Sequence, residues 1–254
     1  MEKLSAVIIT FNEQRNIRRC IESLLPVADE IVVLDSLSTD DTRRICESYP
    51  SVRFLTQPFA GHIEQKNDAA ALATYDLVLS LDADEQLSVQ LSNAILLIKQ
   101  QRQHDGYSMN RLTSYSGQWI RHCGWYPDRK VRLFDRTKGR WGGVNPHDKY
   151  ELFPGGRQAH LEGDLLHYSY ANLEELRKQT QKFGQLGAQA LFNAGKGGAW
   201  VKMFYSPLFR FLRAYVFKTG FLDGKAGIII SWYSAVECFI KYNQLRKLVF
   251  SNNP

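Results

Sequence analysis

LVLSLDADEQL, residues 77–87, starts as a strand fit for a protein core and ends in three carboxylates, Asp82, Asp84 and Glu85. An apolar run without polar alternation suits a strand buried on both faces, as in a parallel sheet covered by helices. Crowded acids repel one another, so they need either water or a cation. Two aspartates one residue apart are a weak signal alone. A solvated strand end ahead of a helix N-terminus, whose dipole favours acids, is the bland alternative.

The residues upstream repeat the pattern. Leu4 to Thr10 is a β-branched run, and Asn12 is a candidate cap for a following helix. In that helix Ile17, Cys20, Ile21, Leu24 and Leu25 share one face. Glu30 to Leu34 is a second strand that stops at Asp35, and Ser36 to Asp41 leads into a helix through Ile45. Val52 to Thr56 is a third strand, 63–73 a helix, Leu77 to Leu81 a fourth strand, and Ser88 caps a helix with Leu91, Ile95 and Ile98 inward. Strand–helix repetition predicts an α/β fold with a mostly parallel sheet. Ligands bind off the carboxyl ends of such strands, so Thr10 to Glu13, Asp35 and Asp82 to Glu85 should share one crevice.

From Gly106 the texture changes. GYSMNRLTSY, KVRLFDR and DLLHYSY predict antiparallel strands, with SGQWIRHCGWYP and GRWGGVNPHDKY as connections. Asn172 starts a helix, and GKGG at 195–198 reads as a hinge. The expected division is an α/β half over 1–105, a half of antiparallel strands over 106–193, and a helical basic and aromatic extension over 194–254.

The bulk numbers narrow the class. A chain of 254 residues with 44% hydrophobic and 23% charged residues is globular rather than disordered. The N-terminal apolar run is too short for a signal peptide, and four scattered cysteines imply reduced thiols in a cytoplasmic protein. Net charge is +6, but residues 196–254 carry nine Lys/Arg against Asp223 and Glu237, so the first 195 residues stand at about −1. ITFNEQRN after the first strand has no glycine, which disfavours a dinucleotide-binding fold and a nucleotidyltransferase.

AVIITFNE, VVLDSLSTDDT, Gln65-Lys66-Asn67 and LSLDADE, in this order, resemble the inverting family 2 glycosyltransferases of the GT-A fold. RLFDR, GGVNPHDKY, LLHYSY and YVFKTGFLDGKAG are similar to bacterial lipopolysaccharide inner-core glucosyltransferases. The resemblance implies that Thr10, Asn12 and Glu13 line the nucleotide end of the first strand and that Asp35 holds uracil or ribose. It implies that Lys66 and Asn67 approach base and diphosphate, that Asp82 touches ribose or metal, and that Asp84 binds Mg²⁺ or Mn²⁺. Asp148, in NPHDKY, is the implied catalytic base; many relatives carry His-Glu there. His167 is a candidate to complete the metal shell, with a core histidine as the alternative. Arg132 is a candidate contact for phosphate or an anionic acceptor.

The implied reaction takes a hexose from a UDP-sugar, UDP-glucose first, to a heptose of the lipopolysaccharide core, or to another lipid-linked or polysaccharide acceptor. The tail, AWVKMFYSPLFRFLRAYVFKTGFL followed by AGIIISWYSAVECFI, is too short in apolar residues for a span of roughly 20. An interfacial helix pair on the inner face of the cytoplasmic membrane fits it better; packing within the protein is the alternative. A basic-tailed nucleic-acid or membrane binder is the reading from another class, disfavoured because an acid-tipped crevice repels phosphates unless a cation is present. No nucleic-acid partner is expected.

Overall fold

The computed structural model describes residues 1–145, 147–196 and 200–251. Elements in chain order are β1 (Leu4–Thr10), α1 (Ile17–Leu24), β2 (Glu30–Asp35), α2 (Thr42–Glu47), β3 (Val52–Thr56), α3 (His62–Ala71), β4 (Leu77–Asp82), β5 (Glu85–Leu87) and α4 (Val89–Gln100). There follow β6 (Gly106–Tyr115), β7 (Gln118–Trp119), β8 (Asp128–Asp135), β9 (Gly139–Val144), β10 (His147–Leu152), β11 (Gln158–Tyr170) and the helices α5 (Leu173–Asn193), α6 (Trp200–Leu212) and α7 (Gly224–Ser251).

The main sheet runs β3-β2-β1-β4-β8-β6-β11-β5. β3, β2, β1 and β4 are parallel, as the strand–helix repeat predicts, while β8 returns antiparallel to β4, β6 to β8, and β5 to β11. The fold is therefore mixed α/β with a parallel half and an antiparallel half, closed at the C-terminus by a long helix. The chain divides into two compact units, Met1–Arg111 with Asp128–Tyr168, and Leu112–Pro127 with Ser169–Pro254.

In the first unit the strands are apolar throughout because both faces are covered. Leu4, Ala6 and Ile8 of β1 and Leu77, Leu79 and Leu81 of β4 join one core with Ile17, Ile21 and Leu24 of α1 and Leu91 and Ile95 of α4. Val7 and Val78 face the other way, into a core of Ala69 and Ala70 from α3 with Phe134, Trp141 and Tyr150. Leu25, expected on the inner face of α1, is exposed because the helix ends one residue earlier.

GRWGGVNPHDKY is not a plain connection: it folds into the antiparallel hairpin β9–β10, with Trp141 opposite Tyr150 and Gly143 opposite Asp148. Tyr150 stacks on Phe134 of β8, ring centroids 3.6 Å apart. Asn12 does not cap a helix either. Its φ is +54°, and the residue at the N-cap position of α1 is Asn16, whose side chain makes no capping bond. Half of the GKGG segment, Gly197 and Gly198, lies outside the described residues.

The second unit is mostly helical. Asn172 caps α5, its side chain accepting from the Glu175 N–H at 2.9 Å. α7 packs along α5 and α6. Tyr115, Ile120, Cys123, Leu176, Ala226 and Ile230 form its core. All four cysteines of the chain are free and buried.

Gly163 fixes how β11 meets α4. Its φ is +103°, and a Cβ there would stand 2.5 Å from the Leu91 backbone nitrogen. Both strain and clash oppose a side chain, since L-residues rarely adopt this region. Gly163→Ala is expected to destabilise by about 1–3 kcal/mol, read as a lower denaturant midpoint at unchanged slope; unaltered stability would show that β11 shifts freely.

Candidate active site

β4 ends at Asp82, and the chain turns through Ala83 and Asp84 into β5. The turn closes on itself: the Asp82 N–H donates to Glu85 Oε2 at 2.9 Å. Glu85 is fully buried, and it does not stand uncompensated. Arg132, a buried residue on the neighbouring β8, donates through Nη2 to both Asp82 Oδ2 and Glu85 Oε1, each at 2.7 Å. Arg111 of β6 adds a second guanidinium 3.6 Å from Glu85 Oε1 and pairs with Asp128 at 2.7 Å. Burial alone would raise the Asp82 carboxyl, but Arg132 and then Lys66 outweigh it and hold the group well below the usual carboxylate range. Burial likewise works against the Arg132 charge, and Asp82 and Glu85 overcome it, so its pKa is raised.

Lys66 reaches the same place from α3. Its Nζ lies 3.0 Å from Asp82 Oδ1 and 2.7 Å from Asp148 Oδ2, and 4.7 Å over the Trp141 ring. One buried ammonium thus joins the end of β4 to the hairpin β9–β10, whose Asp148 lies 82 residues beyond Lys66 in the sequence. The hairpin is brought there by α3. Asn67, next to Lys66, donates to the Trp141 carbonyl and accepts from the Trp141 N–H, both at 3.0 Å. At the start of α3 the Ile63 N–H donates to Asn145 Oδ1 at 3.0 Å, and Asn145 Nδ2 donates to Glu64.

Asp84 faces differently. Its carbonyl accepts from the Tyr168 N–H at 2.9 Å, and its Oδ2 lies 3.2 Å from His167 Nε2. The pairing of β11 with β5 sets His167 opposite Glu85, which is how a residue some eighty positions later comes beside the turn. Glu13, after β1, has its carboxyl pushed up to about 7, by burial first and by the nearby Asp84 second. Among the described residues no three His, Cys, Asp or Glu side chains gather as a closed metal cage. Asp84 and His167 are nevertheless a hard-oxygen and an imidazole donor side by side, and the acid next to them is short of positive charge. That set fits Mg²⁺ or Mn²⁺, ions that commonly take one or two protein carboxylates and complete their shells with substrate phosphates and water.

The remaining expected residues frame the crevice. Thr10 and Asp35 are opposite one another at the ends of β1 and β2. Asp35 is buried and accepts from the Ser38 N–H at 2.7 Å and from the Ser38 hydroxyl. Ser38 Oγ accepts in turn from the Asn12 N–H, and Asn12 Oδ1 accepts from the Thr39 N–H, both at 2.8 Å. Asp35 and Asn12 therefore tie two loops together. Thr10 Oγ1 is buried with no protein partner.

Three of the expected residues have partners within the protein. Arg132 is a buried counter-charge for Asp82 and Glu85. Asp82 is committed to Arg132 and Lys66. Asn67 spends its amide on the Trp141 backbone. Sequence reasoning passed over Arg111, Asn145 and the scaffold role of Trp141. The signal for Arg132 and Arg111 was a cation inside an otherwise strand-like apolar run, which demands a buried acid somewhere.

The sequence profile described as Glycosyl transferase family 2 matches residues 5–162. The lipopolysaccharide core biosynthesis glycosyltransferase LpsC of Rhizobium meliloti is 28% identical over 257 residues, 94% of this chain and 93% of that protein. An uncharacterized glycosyltransferase of Rickettsia typhi is 28% identical over 258 residues, 98% of this chain and 88% of that protein. Among solved structures, S. aureus TarS 1-349 superposes with a TM-score of 0.48 at 16% identity, covering 93% of this chain and 91% of that one.

Arg132→Met retains bulk but leaves two acids without their shared cation. Breaking a buried pair from one side costs about 3–5 kcal/mol, so a correspondingly lower denaturant midpoint is expected at neutral pH. The sign of the pH dependence follows from the lowered Asp82 pKa. In the wild type its contribution is complete above the unfolded-state value, about 3.9, and is lost as pH falls through the lower folded value. The gap between variant and wild type should narrow on acidification; a gap that widens would contradict the pairing.

Proposed function

The chain belongs to glycosyl transferase family 2, and from that premise we propose that it moves a hexose from a UDP-sugar to a heptose of the lipopolysaccharide inner core with inversion at the anomeric carbon. Glucose from UDP-glucose is the preferred donor in this reading. The observation that carries it is the convergence of Lys66, Asp82 and Asp148 at the end of β4, with Asp84 and His167 beside the same turn. Support for the acceptor class is the full-length similarity to LpsC, whose name assigns it to lipopolysaccharide core biosynthesis.

The residues divide the work. Thr10 and Glu13 line the nucleotide end of β1, while Asp35 and Asn12 hold the Ser38–Thr39 loop that walls it. Lys66 offers its ammonium to the diphosphate, and Asn67 keeps the hairpin in place. Asp82 and Arg132 fix the charge and position of Lys66 and of the turn. Asp84 and His167 would hold Mg²⁺ or Mn²⁺, which when bound supplies Lewis-acid stabilisation of the leaving diphosphate.

Transfer is a single displacement. The acceptor hydroxyl oxygen bonds to the anomeric carbon from the face opposite the diphosphate; the bond from that carbon to the β-phosphate oxygen breaks, and its electron pair leaves with UDP. The hydroxyl proton goes to Asp148, as carboxylates do this work in inverting hydrolases. Asp148 Oδ2 accepts from Lys66, so the second oxygen is the one presented to the acceptor.

The helical part carries the membrane reading. Val201, Phe204, Tyr205, Leu208 and Leu212 of α6 fall at i, i+3, i+4, i+7 and i+11 and are exposed. No helix among the described residues is long and apolar enough to cross a membrane. An exposed apolar stripe with basic neighbours such as Lys202 and Arg213 suits the headgroup boundary on the inner face of the cytoplasmic membrane, where a lipid-linked acceptor resides.

Two outcomes test the site. UDP with Mn²⁺ should raise the melting temperature, and Asp84→Asn should remove the Mn²⁺-dependent part while keeping the fold; a Mn²⁺ response equal to that of wild type would exclude Asp84 as a ligand. Asp148→Asn should bind UDP-sugar normally yet lose transfer to a heptose-bearing core acceptor by about 10²–10⁴-fold. Single-turnover rates like those of wild type would move the base elsewhere.

A further inference from the structure

The helical unit contains a cavity of about 290 Å³ with a marked charge. Arg210, Arg213 and Lys218 line it together with Gly124, Trp125 and Ser234 of α7; no carboxylate is among the described lining residues. The three cations are exposed and leave this space positive, so an anion is the complement its lining lacks.

The arrangement is built by the backbone. After α6 the chain widens into a π-helical turn over Arg213–Phe217, in which the Lys218 N–H donates to the Arg213 carbonyl at 2.8 Å. That five-residue bond sets Lys218 back beside Arg213, and such turns recur at functional sites. Facing them, the Cys123 N–H donates to the Lys218 carbonyl at 3.0 Å. Cys123 takes a left-handed φ of +59°, uncommon for a residue with a side chain, and Gly124 follows at +80°, which glycine adopts without strain. The loop is held from behind by Asp223, a buried acid of the FLDGK stretch. It accepts from the His122 N–H at 2.9 Å and lies 2.8 Å from His122 Nδ1, while its carbonyl accepts from Gln118 at 2.9 Å. The Trp125 ring is set against Tyr170, centroids 5.6 Å apart.

We propose that this cavity is a binding site for a phosphate monoester carried on a sugar or glycerol unit. Two guanidinium forks and an ammonium match a phosphate dianion. The indole offers a flat face to the attached ring or carbon chain. The volume lies just under the roughly 300–1,000 Å³ range of small-molecule pockets, enough for one such unit. The site belongs to the helical unit alone and depends on neither the donor nor the transfer reaction. Phe209 and Phe217, exposed and next to Arg210 and Lys218 in the chain, make a phospholipid headgroup one source of the ester and a phosphorylated glycan the other.

The test uses the full-length protein, glycerol 3-phosphate in calorimetry, and flotation with phosphatidylcholine vesicles with and without phosphatidic acid. Glycerol 3-phosphate should bind saturably and at least about tenfold more weakly to Arg213→Gln/Lys218→Gln at equal melting temperature, with Arg213→Lys intermediate. Loss of phosphatidic-acid-dependent flotation in the same double variant assigns the headgroup source; unchanged flotation with lost glycerol 3-phosphate binding assigns the glycan source. Should the double variant not fold, protection of Arg210 and Arg213 from phenylglyoxal by glycerol 3-phosphate in the wild type replaces it. Binding equal in variant and wild type, or no protection of either arginine, overturns the proposal.

Discussion

The guanidinium of Arg132, buried between Asp82 and Glu85, is the contact on which the rest of the site depends. Three acids within four residues cannot end a buried strand without compensation, because like charges at about 4 Å cost about 4 kcal/mol even at an effective dielectric near 20. The chain compensates two of them internally, Asp82 with Arg132 and Lys66, and Glu85 with Arg132 and Arg111. Asp84 is left beside His167, 3.2 Å from its Nε2. The turn thus combines a closed half that holds its shape with a half left available for chemistry.

α3 acts as the ruler that brings the hairpin to this turn. Two adjacent residues on one helix do different jobs: Asn67 fixes the backbone of Trp141, and Lys66 meets Asp148 seven residues further along the hairpin's path. The indole between them lies under both Lys66 and Arg132, at 4.7 and 5.7 Å, which gives the two cations a face with negative quadrupole while they serve the acids. The distance from the Asp148 carboxylate to the end of β4 is therefore set by side-chain bonds rather than by sheet pairing. Such a connection transmits small changes, so a substitution at Asn67 or Asn145 acts on Asp148 without touching substrate.

The parallel half was legible because its physics is local. Apolar runs such as LVLSL and helix faces such as Ile17, Cys20, Ile21 and Leu24 state their burial in their own periodicity, and the strand ends followed from topology. The hairpin was not legible: GRWGGVNP has the glycine, asparagine and proline of a loop, and its strand character comes from Trp141 and Tyr150 packing on Phe134, far away in sequence. Asn12 read as a helix cap because asparagine caps and left-handed turns draw on the same short side chain; only the Ser38–Thr39 loop distinguishes them. Arg132 read as a contact for phosphate or an anionic acceptor, since the acids it pairs with lie 47 and 50 residues upstream. Roles set by long-range pairing escape a reading that sees neighbours.

The uneven charge of the sequence takes on meaning from these local balances. The first 195 residues sum to about −1, yet they hold one of the densest ion networks of the chain, so a near-zero total there reflects pairing rather than lack of charge. The last 59 residues hold +7, and three of those cations line a single cavity whose walls contain no acid. In the first case the protein supplies both signs and leaves one carboxylate for an incoming cation. In the second it supplies one sign only. Three exposed cations around one cavity, beside a loop held by the buried Asp223, are complemented by an anion from outside the chain, and a group with several oxygens on one centre suits two guanidinium forks and an ammonium.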